Sequence, residues 1–261
     1  MKKITIQDTT YEVPGEWDEF TRNQLLYLVR LIQTCKSEAE ISLKLLLYCI
    51  KGYIKSSIGP GMHLIKTRAS KHVLFVDEVT ALLDVFDFLF EDYEGERSIS
   101  PKLTTNYFKK IRSGIRTLIG PNDLLQDITY NQFVHLQTYQ DAMVKDPEAI
   151  DDLVSVLYKT SKGKHNVRWI KRVNPEIKIA TLWFYLGTLA FLEEMFPRVF
   201  AGGSKATGSV YDNQQRIIDV MAGGDVTKKE KVRESFLYDA MYSMEMAAAR
   251  MEEMERQSSK S

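Results

Sequence analysis

A chain of 261 residues, 44% hydrophobic and 27% charged, is long enough to close one large core or two small ones and too apolar for wholesale disorder. Thirty-five basic residues balance 35 acidic ones, so no global field draws the protein to nucleic acid or to an anionic membrane; any such binding has to be local. Two cysteines without a framework predict reduced thiols and a cytosolic setting, the polar start Met1-Lys2-Lys3-Ile4-Thr5-Ile6 lacks the apolar core of a secretion signal, and the most apolar run, residues 177–192, contains Lys178 and falls short of the roughly 20 residues of a membrane span.

Residues 2–6 and 11–13 alternate apolar and polar around Gln7-Asp8-Thr9-Thr10, which predicts a small β-hairpin closed by Pro14-Gly15. A helix is expected over residues 19–34, with Leu25, Leu28, Val29 and Ile32 along one stripe. A second is expected over residues 37–56, apolar nearly all round and stopped by Gly59-Pro60-Gly61. The β-rich run 71–76 leads into Asp77-Glu78, acids suited to a helix start, and then Val79, Leu82, Leu83, Phe86, Leu89 and Phe90 recur at helical spacing. Asp84, Asp87 and Glu91 on its polar side read as a solvated face. Residues 94–101 are polar and rich in breakers and mark a boundary between two halves.

A helix carrying Lys109, Lys110, Arg112 and Arg116 is expected over residues 103–119, ended by Gly120-Pro121. Helices over 129–143 and 147–159 follow, the second opened by Asp146-Pro147, and residues 161–173 read as a basic loop. Asn174-Pro175 opens an apolar helix over 176–196 bearing Trp183, Phe184, Tyr185, Phe191 and Phe196. A Gly/Ser/Thr-rich link, residues 201–208, precedes a short helix over 211–221 and a long one over 227–256, with a polar tail at 257–261.

Two helix starts share the pattern acid-apolar-Thr-x-Asn-Gln-apolar-apolar-x-Leu. In Asp127-Ile128-Thr129-Tyr130-Asn131-Gln132-Phe133-Val134-His135-Leu136 it is complete; in Glu19-Phe20-Thr21-Arg22-Asn23-Gln24-Leu25-Leu26-Tyr27-Leu28 it recurs. Each predicts a capping box, the Thr accepting from the backbone of the Gln three residues on while that Gln reaches back to the Thr N–H. Phe20 with Leu25, and Ile128 with Phe133, form hydrophobic staples. The matching second helices, Glu38-Ala39 with Leu43 and Leu47-Tyr48 against Glu148-Ala149 with Leu153 and Leu157-Tyr158, extend this to a duplicated helix-turn-helix. A weaker start at Asp225-Val226-Thr227-Lys228-Lys229-Glu230 keeps Thr-x-x-Glu but lacks the staple.

No catalytic constellation is visible. His63, His72, His135 and His165 are scattered without metal-ligand spacing, and Gly202-Gly203-Ser204-Lys205-Ala206-Thr207-Gly208 lacks the order of a phosphate loop. No catalytic residue, metal or cofactor is expected. The last helix is more informative: Leu237, Met241, Met244, Ala248 and Met251 recur at alternating four- and three-residue intervals, a seam for packing on the protein's own body or, released through Gly223-Gly224, for holding a partner. Charging Met244 and Met251 is expected to spare the fold and abolish capture. Lys162, Lys164, Arg168, Trp169, Lys171 and Arg172, with Lys159 and His165, form the one cluster where phosphate contacts and base stacking coincide, an alternative strengthened if the basic residues 109–116 lie beside it.

The order of features resembles a loosely defined group of phage and prophage proteins of Bacteroidota-type hosts associated with virion or tail-assembly gene blocks. The resemblance spans about residues 1–200 and is carried by Val13-Pro14, Trp17, the Thr-capped helix, Val73-Leu74-Phe75-Val76, Leu103-Thr104 with Asn106, Leu124 to Gln132, Leu153-Val154-Ser155-Val156-Leu157-Tyr158, Val173-Asn174-Pro175 with Lys178-Ile179-Ala180, and Phe196-Pro197-Arg198-Val199-Phe200. It implies a tail-assembly role and brings no functional residues with it. The expectation is therefore a mainly α protein with a small N-terminal β-hairpin, two related helix-turn-helix halves and a long C-terminal helix, organised as residues 1–96, 97–200 and 201–261. Its expected role is non-enzymatic: a tail-assembly chaperone in the host cytoplasm, with a structural virion or connector component as the alternative. A phage tail or virion protein is the expected partner, self-association is allowed, and neither nucleic acid nor membrane is expected.

Overall fold

The computed structural model describes residues 1–59, 61–68, 70–201 and 209–258, so the phosphate-loop-like stretch 202–208 and the last three residues lie outside the described residues. Helices dominate, the sheets are small and antiparallel, and the chain divides into two compact units, Met1–Lys102 and Leu103–Ser261.

In the first unit β1 (Lys2–Ile6) pairs antiparallel with β2 (Thr9–Val13) across a turn in which Gln7 is left-handed. Then α1 (Arg22–Thr34) begins with the expected capping box: the Gln24 N–H donates to Thr21 Oγ1 at 3.3 Å and the Thr21 N–H to Gln24 Oε1 at 2.8 Å. Phe20 and Leu25, the staple pair, are both buried.

The partner helix α2 (Glu38–Cys49) is shorter than its apolar run suggests. Lys51 turns left-handed (φ 53°) and the Gly52 N–H closes back on the Leu47 carbonyl at 2.7 Å, which satisfies orphan carbonyls and stops the helix. Residues read as the end of that helix become β3 (Tyr53–Gly59), which joins β4 (Met62–Lys66) and β5 (Lys71–Phe75) in the order β3-β4-β5. Glu78 accepts from the Phe75 N–H at 2.8 Å at the start of α3 (Val76–Leu83). The chain then tightens into a 3-10 turn, Asp84–Leu89, and leaves as a hairpin of β6 (Phe90–Tyr93) and β7 (Glu96–Ile99). Glu94 and Gly95 both have positive φ, as a type I′ two-residue hairpin loop requires, so the breaker-rich stretch makes a hairpin and not a bare linker.

The second unit opens with a larger correction. Residues 103–119 form no helix; they contain β8 (Lys110–Ser113) and β9 (Arg116–Ile119), paired across Gly114-Ile115 with Gly114 at φ 58°. The basic residues that fit a helical face also fit period two, and a Gly at the first of two loop residues favours the hairpin. The backbone around it is held by Asn106, whose Nδ2 donates to the Pro121 carbonyl at 2.7 Å and whose Oδ1 accepts from the Phe108 N–H at 2.9 Å. Tyr158 Oη donates to the Phe108 carbonyl at 2.9 Å. A Cβ at Gly120 would sit 2.6 Å from the Tyr158 ring, which is why a glycine stands there.

Next, α4 (Tyr130–Met143) starts with the second capping box, Gln132 N–H to Thr129 Oγ1 at 3.2 Å and Thr129 N–H to Gln132 Oε1 at 3.0 Å. A 3-10 turn with Pro147 leads into α5 (Ile150–Leu157), and the basic loop contains one short helix, α6 (Val167–Ile170). The long apolar α7 (Pro175–Met195) buries Trp183, Phe184 and Tyr185, with Tyr185 Oη donating to Gln140 Oε1 of α4 at 2.8 Å. Pro197 begins α8 (Pro197–Ala201), and α9 (Val210–Met221), α10 (Val226–Glu234) and α11 (Leu237–Ser258) follow. The third capping box does not form: Asp225, not Thr227, caps α10, accepting from the Thr227 N–H at 2.9 Å.

Removing the Thr21 or Thr129 hydroxyl by Thr→Ala is expected to cost about 1 kcal/mol each, measured as a lowered urea midpoint. Gly120→Ala is expected to cost more than either, because its methyl meets a buried ring.

Candidate functional site

The terminal helix read as continuous is broken at Ser235-Phe236, and the cause is tertiary. Residues Thr129 and Phe236 form an antiparallel bridge in which the Tyr130 N–H donates to the Ser235 carbonyl at 2.9 Å and the Leu237 N–H to the Ile128 carbonyl at 3.0 Å. That exchange needs extended backbone, and Ser235 supplies it (ψ 149°). The same three residues that cap α4 therefore anchor the root of α11, helped by Tyr238 Oη donating to the Leu124 carbonyl at 2.8 Å.

From this root the seam runs from core to solvent. Leu237 and Met241 are buried, Met244 and Ala248 are half-buried, and Met251 is 60% exposed, as is Met254. Along the way Arg198 of α8 grips two carboxylates one heptad apart, Glu245 at 2.9 Å and Glu252 at 3.2 Å. Release through Gly223-Gly224 does not match this arrangement: those glycines close the end of α9, and α10 lies between them and α11, tied to α9 by Lys229–Asp219 at 2.5 Å and Arg233 to Gln215 at 2.8 Å. Met244 packs its sulfur 4.0 Å from Tyr130 Oη, so a charge there would disturb the anchored part; the exposed large apolar side chains of α11 are Tyr242, Met246, Met251 and Met254.

Met241 and Met244 also line an open apolar cavity of about 480 Å³ with Tyr130, Phe133, Val199, Phe200, Val210 and Ile217. A chain of amides crosses its wall, Tyr130 Oη donating to Gln214 Oε1 at 2.6 Å and Gln214 Nε2 to Gln137 Oε1 at 2.5 Å. An apolar cleft with a few fixed polar groups and sulfur-lined walls accepts an apolar side chain or helix turn with little specificity.

The basic alternative divides. Lys162 and Lys164 stand exposed on a turn, while Arg168 and Trp169 lie on α6 and Lys171 and Arg172 just beyond it. The β8–β9 hairpin is brought against this segment: Ser113 Oγ donates to the Trp169 carbonyl at 2.5 Å and the Arg116 guanidinium lies 4.7 Å from the Trp169 ring.

A polar cluster in the first unit escaped the sequence reading because its members are far apart in the chain. His72 Nε2 meets Ser70 Oγ at 2.6 Å and Tyr11 Oη at 2.9 Å, and its Nδ1 faces Gln7 Oε1 at 3.3 Å. A serine beside a histidine is the start of a nucleophile–base pair. Here the imidazole is buried and its far nitrogen faces an amide instead of a carboxylate, so the cluster ties the β1–β2 hairpin to β5. Cys49 and Cys35 are free thiols, and burial pushes Cys49 up to about 11, an unreactive state. Asp87 faces Arg97 and Glu91 faces Lys102. Among the described residues no three His, Cys, Asp or Glu side chains gather as metal ligands, and no helix is long and apolar enough to cross a membrane. Comparison with protein-family models, with curated proteins and with solved structures finds no match.

Burial holds the His72 imidazole below its ordinary value of 6.5. The unfolded chain therefore takes up a proton that the folded chain refuses, so this contribution is full above about pH 6.5 and is lost as the pH falls below it. Thermal unfolding between pH 7.5 and 5 should show the loss, and His72→Gln should flatten it.

Proposed function

We propose that this chain is a non-enzymatic phage assembly protein that acts as a chaperone for a tail component in the host cytoplasm. The observation that carries the reading is the pairing, in one unit, of the methionine-lined cleft at Met241 and Met244 with a projecting helix end bearing Met246, Met251 and Met254. A holding factor needs apolar surface that is exposed before its client arrives yet adaptable in shape, and methionine on a helix supplies both. The anchored root keeps this surface attached to a folded body. The client is read as an aggregation-prone tail protein, with the resemblance of residues 1–200 to tail-assembly gene products supporting that choice.

The organisation is read as two related helix-turn-helix units. Each capping-box glutamine carries its amide nitrogen on to the last turn of the following helix, Gln24 to Cys49 Sγ at 3.4 Å and Gln132 to the Val156 carbonyl at 3.1 Å. A duplication accounts for the same side chain linking a cap to the next helix twice.

Met251→Glu with Met254→Glu is expected to leave the circular dichroism spectrum and melting temperature unchanged and to reduce capture of a tail protein, in tagged pull-downs from phage-producing cells, by tenfold or more. Purified virions should lack the protein. Abundance in particles would make it a structural component instead, and capture unaffected by the double variant would remove α11 from the account.

A further inference from the structure

The two segments that meet at the β8–β9 hairpin are electrostatically unlike the rest of the chain. Residues 103–119 and 159–173 hold ten of the 35 basic residues and no Asp or Glu. Lys109 pairs with Asp123 at 2.9 Å; among the described residues, no carboxylate lies within ion-pair distance of the other nine. A protein of zero net charge thus concentrates uncompensated cations in the two segments that meet at the β8–β9 hairpin. Unpaired like charges repel, so gathering them raises the energy of the folded state unless an anion is bound.

The geometry is specific as well as positive. Arg116, Arg168 and Arg172 line a cleft of about 260 Å³ with Ser113, Ile115 and Trp169. Ser113 pairs with Arg116 across the hairpin, and cross-strand partners share a face, so Arg116 is directed to the side where Ser113 meets the Trp169 carbonyl. The guanidinium stacks on the half-buried indole at 4.7 Å, which fixes one planar cation with its donors pointing outward. At the hairpin tip Ile115 is fully exposed beside these arginines. Lys110 and Arg112 stand exposed on the hairpin's other face.

We propose that this face binds single-stranded nucleic acid, with Arg116, Arg168 and Arg172 on successive phosphates and the Arg116–Trp169 stack and Ile115 against the bases. Guanidinium forks match phosphate oxygens in pairs, and an aromatic–guanidinium platform stacks any base, so the site reads backbone and base planes and not sequence. A duplex keeps its base faces covered and would leave the indole and Ile115 unused. An acidic polypeptide offers carboxylates without the regular alternation of anion and stacking base that a single strand presents along its backbone.

The test is fluorescence anisotropy on the full chain with labelled 15-nucleotide oligo(dT), oligo(U), a mixed-sequence duplex and poly-glutamate, each from 50 to 200 mM salt. Single strands are expected to bind more tightly than the duplex or poly-glutamate, with affinity falling on a log–log salt slope of about −2 for three phosphate contacts. The Arg116→Ala, Arg168→Ala, Arg172→Ala triple variant should lose at least tenfold in affinity and flatten that slope, Trp169→Phe should retain most of the binding and Trp169→Ala should not. Lys228→Ala with Lys231→Ala, on α10, is the control for charge alone and should bind as the wild type does. No binding to single strands, tighter binding to duplex or poly-glutamate, or a folded triple variant that binds like the wild type would each overturn the proposal.

Discussion

The second unit depends on an exchange of two backbone hydrogen bonds between residues 128–130 and 235–237. A free helix start leaves its first amides without partners, and a capping box satisfies some of them while holding the residue before the helix in extended geometry. At Thr129 that extended residue is also a strand partner. The cap therefore creates the edge onto which Phe236 bridges, and the bridge breaks what local propensity would make one long helix into α10 and α11. The cap at Thr129 and the bridge beside it so mark where the C-terminal helix begins.

Everything after that point follows from distance to the anchor. Leu237 and Met241, in the first turns, reach the core; Met244 reaches the cleft wall; and Met251 and Met254, on either side of the Glu252 that Arg198 holds, are 60% exposed. The pair of Arg198 with Glu252 joins exposed groups and adds little, on the order of 0–1 kcal/mol, whereas the Glu245 carboxylate is largely covered and also accepts from the backbone N–H groups of Arg198 and Val199 at 3.0 and 3.2 Å. The result is a helix with a hydrogen-bonded root and exposed methionines towards its end.

Most of the helical frame was legible because its signals are local. Thr-x-x-Gln before an apolar run, Asn-Pro before α7 and Asp-Pro before the turn into α5 act within four residues, and each forms as read. The β-hairpins at 53–66 and 110–119 stand where apolar and basic residues fit two periods at once, and the hairpin at 90–99 replaces the end of an expected helix and a linker; Lys51-Gly52, Glu94-Gly95 and Gly114-Ile115 carry the turn information that decides between them. The split at Ser235 was not legible at all, since its cause lies a hundred residues away in the chain. The seam residues were found by periodicity, but which of them are free was not, because exposure depends on the anchor. The juxtaposition of Arg116 with Trp169 is likewise conditional on a hairpin that the local spacing of basic residues does not distinguish from a helix.

Amide hydrogen exchange on the full chain, followed residue by residue through α11, tests the anchored-root arrangement most directly. The account predicts slow exchange at Tyr130 and from Leu237 through Met244, with fast exchange across the last two turns beyond Arg250. Uniformly fast exchange from Ser235 onward would mean that the bridge to Thr129 does not hold the helix, and uniformly slow exchange to the end of α11 would mean that its methionine end is already covered.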